Sequence, residues 1–228
     1  MGGGTVWEGC VMAVGERERE RGALNTGFVA APGMSGAARV AGIVAAPLAL
    51  AALGLTHPVH LDGDTALWWH QLHIVLLPLF PLLGVNLWWL LAGLTGPLPW
   101  VGRIAGFVYI VFYGALDVLA GIAAGVVRER ATQEGVPAAL AAEGWLFTVG
   151  NALADVGVWA FLLCCILASG LLYARLGRRA LPGALCLCVA AVIFLQSHIY
   201  FPLGVAAMLL LAAGFGLLQW VRITPARG

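Results

Sequence analysis

The stretch THPVHLDGDTALWWHQLHIVLLPLFP (Thr56–Pro81) runs from a short polar loop straight into a long apolar segment. It holds four of the chain's five histidines, His57, His60, His70 and His73. His70 and His73 are three residues apart and share a helix face. Two imidazoles and the Gln71 amide beside an apolar run are costly in lipid unless something pairs with them. The stretch therefore predicts a membrane-spanning helix with a polar site near one membrane surface.

The composition agrees. Hydrophobic residues make up 61% of the 228 and charged residues only 10%, against about 25% charge in a soluble domain. Mean hydropathy is +0.94. A soluble enzyme is excluded, and no phosphate-binding loop, nucleophile elbow or kinase signature is present. All twelve cations are arginine and the net charge is +1, which gives no reason to expect a nucleic-acid partner. Cys164, Cys165, Cys186 and Cys188 fall inside apolar runs and Cys10 in the N-terminal region, so no disulfide framework is expected.

Outward from the opening stretch, a spanning helix needs about 20 apolar residues. Residues 1–37, with the alternating GERERERG (Gly15–Gly22), read as an N-terminal tail, with Met34 as an alternative start. Six helices are predicted in residues 38–222: Arg39–Thr56, Ala66–Leu94, Val101–Val127, Trp145–Leu176, Ala180–Ile199, and a sixth ending near Val221. Pro78 and Pro81 predict a bend or local unwinding in the second. Pro137–Glu143 reads as a short surface helix, and residues 223–228 as a C-terminal tail. The fold class is an all-α integral membrane bundle.

Arginine sets the orientation. Arg39, Arg103, Arg175, Arg178, Arg179, Arg222 and Arg227 fall on one side, and only Arg128 and Arg130 on the other. By the positive-inside rule both termini are cytoplasmic, in the cell membrane. His57, His60, His70, His73 and His198 then all map to the outer side. Asp117 lies ~15 Å below the outer end of its helix, and Asn151 and Asp155 lie ~9 Å and ~15 Å down theirs, at 1.5 Å per residue. Gln71 and Gln196 flank the histidine layer.

Each of these residues also has a purely structural reading. A His70/His73 pair is more often an interface pair than a ligand pair. His198 can satisfy a helix end. His57 and His60 sit in a loop, where histidines are usually inert. Asp117 lies among Gly114, Gly121 and Gly125, a close-packing face. Asn151 and Asp155 suit helix–helix hydrogen bonds. Tyr109, Phe112 and Tyr113 read as packing residues, with Tyr113 one turn before Asp117 and in reach of it.

Convergence on one side favours a site. His70, His73 and His198 are the expected ligands of a transition metal (Zn, Cu or Fe) or a b-type haem, with Asp117, Asn151, Asp155, Gln71 and Gln196 orienting them or relaying protons, and His57 and His60 as outer-loop contributors. Zinc there implies a membrane hydrolase, and haem a redox subunit. Two alternatives stand beside this one. Asp117 and Asp155 near the midplane suit a small proton-coupled transporter. The tight loops and Gly/Ala-rich helices suit a non-catalytic subunit of a larger membrane complex. Expected partners are the lipid bilayer and other membrane subunits or further copies of the chain.

Overall fold

The computed structural model describes residues 34–224. The expected N-terminal tail falls outside the described residues up to position 33, as do Cys10 and residues 225–228. The described residues are helical, with short connections and no strand among them. Helix α1 spans Gly36–Gly54 and is N-capped by Ser35, whose Oγ accepts from the Ala38 N–H at 3.2 Å. Helix α2 spans Ala66–Leu91, and α3 spans Pro97–Leu116 with proline in its first turn. A seven-residue π-helix, Asp117–Ala123, joins α3 to α4 (Ala124–Glu134) without a break. Helices α5 (Leu140–Leu176), α6 (Leu181–Ser197) and α7 (Leu203–Ile223) follow.

Among the described residues, five helical stretches are long and apolar enough to cross a membrane: Gly36–Gly54, Ala66–Leu91, Pro97–Glu134, Pro137–Ser197 and Leu203–Ile223. The fourth has 61 residues, far more than one crossing needs. It turns back on itself at the 3₁₀ turn Gly177–Ala180. Ser169 of α5 meets Cys188 of α6 at 3.5 Å, and farther from the turn the Phe161 and Phe194 rings meet at 5.6 Å. The pairing of earlier with later residues makes α5 and α6 antiparallel.

Two local features differ from the sequence reading. Helix α2 is not unwound at Pro78 or Pro81 and stays α-helical through both; the irregular turn falls one helix later, at Asp117. Residues 137–143 do not form a separate surface helix. Pro137–Ala139 is a 3₁₀ turn, and Glu143 already belongs to the first turn of α5. A carboxylate there is favoured by the helix dipole. It also accepts two hydrogen bonds from Arg128 of α4, at 2.6 and 2.8 Å.

The outer surface is apolar, with Trp145, Trp159, Trp100 and Leu203 each more than 60% exposed. That suits lipid rather than water. Polar capping concentrates at the C-terminal end of α2. Arg103 donates to the carbonyls of Leu91 and Leu94 at 2.8 and 3.0 Å, and Arg222 to those of Trp89 and Ala92 at 2.9 and 3.2 Å. These bonds satisfy carbonyls that every helix end leaves free. The histidines gather at the other end of α2.

Candidate metal centre

Three chain segments meet at the N-terminal end of α2. The first is the exit from α1. Gly54 lies so close to the segment that follows α6 that a Cβ there would overlap the Ile199 carbonyl. This approach carries His57, three residues later, against His198. Trp68 holds the same exit by donating its indole N–H to the Thr56 carbonyl at 2.9 Å. The second segment is α2 itself, which starts in a ring of short bonds: Asp62 Oδ1 accepts from the N–H of Asp64 at 3.0 Å and of Thr65 at 2.9 Å. His73 lies two turns in and is buried. The third is the end of α6, where His198 has φ 45° and ψ −130°. Positive φ is uncommon outside glycine and recurs at functional sites.

His57, His73 and His198 each bring one ligand-type nitrogen within 4.8 Å of the other two. Their rings form a close triangle. His57 lies 5.0 Å from His73 and 5.3 Å from His198, edge-on to both, and His73 and His198 lie 6.0 Å apart and nearly parallel. Trp69 packs 5.1 Å from both His57 and His73, and Tyr200 packs 4.6 Å from His57.

Hydrogen bonds to backbone carbonyls select the tautomers of His57 and His73. His57 Nδ1 lies 2.7 Å from the Pro58 carbonyl, and His73 Nδ1 lies 2.8 Å from the Trp69 carbonyl. A carbonyl only accepts, so both Nδ1 atoms carry the proton and both Nε2 atoms present lone pairs. His198 Nδ1 lies 2.5 Å from the Tyr113 hydroxyl. A hydroxyl both donates and accepts; in the arrangement where it accepts, the His198 lone pair is on Nε2. The Nε2 atoms of His57 and His198 are fully enclosed and have no hydrogen-bond partner. Burial pushes the His57 imidazole down to about 4 and His198 well below the usual value. The three rings are therefore neutral in ordinary conditions. Three neutral imidazoles, each held through its other nitrogen, are the donor set that metal ligation requires.

No family model, curated protein or solved structure matches this chain. The site therefore has to be read from its own geometry.

The structure places the other sequence candidates as follows. His70 stands apart from the triangle, its Nδ1 3.3 Å from Glu129 Oε2. His60 and Gln71 are exposed. Asn151, Asp155 and Gln196 line a cavity of about 220 Å³ together with His73, His198 and Tyr113. Asp117 is fully buried, and neither carboxyl oxygen has a hydrogen-bond partner. In sequence, Tyr113 reads as a packing residue within reach of Asp117, and nothing marks Tyr200 as part of a site. The signal for Tyr113 was its place one turn before an intramembrane aspartate, but the partner it takes lies on another helix.

Proposed function

We propose that the chain is a six-span integral membrane protein that binds a transition-metal ion through His57, His73 and His198 near its outer face. The arginine distribution supports six crossings with both termini cytoplasmic, and the reversal at Gly177–Ala180 supplies the sixth. The observation that carries the metal reading is the convergence of three neutral imidazole nitrogens within 4.8 Å. Ligation at 2.0–2.1 Å in a tetrahedron brings nitrogens to about 3.3 Å of one another, so the rings close inward on an ion by side-chain rotation.

The geometry favours a bare ion over haem. A porphyrin gripped by His73 and His198 needs the space between them, and the His57 ring stands against both. An all-nitrogen, uncharged set suits zinc or copper. Three protein ligands leave a fourth position, which is the pattern of sites that bind water or substrate. The adjoining cavity, with Asn151, Asp155 and Gln196 in its wall, gives a molecule of a few heavy atoms a route to it. A metal-dependent reaction at the outer leaflet is the function this arrangement supports best.

The test is elemental analysis and zinc or copper titration of the detergent-purified protein. The wild type binds one equivalent, and the His57→Ala and His198→Ala proteins lose most of it while keeping their helical circular dichroism. Full occupancy in both variants overturns the reading. Reporter fusions after residues 136 and 228 check the topology, with the first expected outside and the second inside.

A further inference from the structure

We infer that the Asp117 carboxyl supplies the charge that neutralises a divalent ion in the three-histidine site, giving up one proton for each ion bound. This rests on the metal reading above.

The three imidazoles bring no charge to the site. A doubly charged ion in a dry, apolar surround is costly unless a counter-charge lies near it. Among the described residues, Asp117 is the aspartate that is fully buried, and both its oxygens are without partners. Its place on the helix ties it to the ligands. Tyr113, four residues earlier, touches His198. Gly121, four residues later, packs so closely on His73 that a Cβ there would overlap the ring. Residues four apart share a face, so Asp117 sits between the two contacts that reach ligand imidazoles. It also opens the π-helix, a distortion that recurs at functional sites.

A buried carboxyl without a cation stays protonated. The titratable groups on the elements around this face are Tyr109 and Tyr113 on α3, His73 on α2, His57 after α1, Asp155 and Cys165 on α5, and His198 and Tyr200 beyond α6. None is an arginine. Asp155 is exposed at the cavity wall, whereas Asp117 is enclosed. The step balances simply. A divalent ion enters, the Asp117 O–H bond breaks, the carboxylate stays, and the proton is taken up by the buffer. No electron moves.

The experiment uses the full chain in detergent, weakly buffered at pH 7.5 with an indicator dye, titrated with zinc chloride. Protons released are counted per zinc bound. The Asp117→Asn protein is expected to release one proton fewer than the wild type and to bind zinc at least tenfold more weakly. Asp64→Asn, at an exposed loop aspartate outside the cavity wall, is expected to match the wild-type count. Repeating the count at pH 6.0 sets aside a zinc-bound water, which ionises at about 7. Equal counts in the wild type and Asp117→Asn overturn the inference and leave the metal site standing; no zinc binding by the wild type overturns the metal reading itself. If Asp117→Asn does not fold, infrared difference spectra of the wild type on zinc addition decide. Loss of a protonated-carboxyl stretch is expected, and an unchanged band overturns the inference.

Discussion

The Tyr113 hydroxyl and Nδ1 of His198 are 2.5 Å apart although 85 residues separate them in the chain. This bond holds the His198 ring beside the other two histidines. Partners of this kind typically contribute 10–100-fold in metal affinity. Tyr113→Phe is therefore expected to weaken zinc binding by 10–100-fold in a chelator competition, with stability falling by only about 1 kcal/mol. Unchanged affinity shows that the ring is held by its aromatic packing alone.

Protons and metal compete for the same nitrogens. Burial holds His57 at about 4, well under its ordinary 6.5. Zinc is expected to stay bound at pH 5.5, where a solvated histidine site has begun to empty, and to leave as the pH approaches 4. Elemental analysis after dialysis at each pH checks this.

The same shift acts on the metal-free protein. The unfolded chain takes up the His57 proton near pH 6.5, and the folded chain only near 4. The stabilisation is thus fully present above pH 6.5 and is lost as the pH falls through 4, by up to roughly 3 kcal/mol. Melting temperatures of the apo protein should decline across that window and level off below it. A flat profile counts against a buried, neutral His57.

Gly121 is the contact between the π-helix and the His73 ring. An added methyl meets that ring directly. Gly121→Ala is expected to cost about 1–3 kcal/mol from overpacking and to reduce zinc affinity further, because His73 is the group displaced. Gly114→Ala, on the same helix with open space around its Cβ position, should leave zinc affinity unchanged. Thermal melts and zinc titrations of both proteins separate the two effects.

At the opposite end of α2, Arg222→Ala removes two donors from the Trp89 and Ala92 carbonyls. A loss of about 1–3 kcal/mol in stability is expected, with zinc affinity unchanged. A drop in affinity there shows that the two ends of α2 are coupled.

Much of this architecture was legible in residue order. Apolar runs between Gly/Pro-rich breaks mark most helix ends to within five positions, because lipid demands that each crossing satisfy its own backbone; the third helix instead runs seven residues past Val127, through the expected loop to Glu134. The QSHIYFP segment (Gln196–Pro202) signalled the break after α6, and there the helix ends at Ser197. The site was harder. His73 and His198 stood out as imidazoles beside apolar runs, and the structure brings them together with His57. His57 read as an ordinary loop histidine because nothing local shows that Gly54 lets α1 close onto Ile199. His70 shares a face with His73 on paper, but at three residues apart the two rings diverge enough for one to meet Glu129. Those outcomes depend on helix rotation and on contacts between distant segments, which spacing along one helix does not encode.

The π-helix at Asp117–Ala123 makes the number of residues in this helix a functional quantity in itself. A π turn accommodates more residues than an α turn of the same height. Removing one residue there, Val118 for example, lets the helix relax to ordinary winding while the residues beyond it keep their present facing, so Gly125 stays against His70. What changes is the face inside the π turn, from Asp117 to Gly121, while the segment stays as apolar and as able to cross a bilayer as before. A deletion that hydropathy cannot register would act on that face alone.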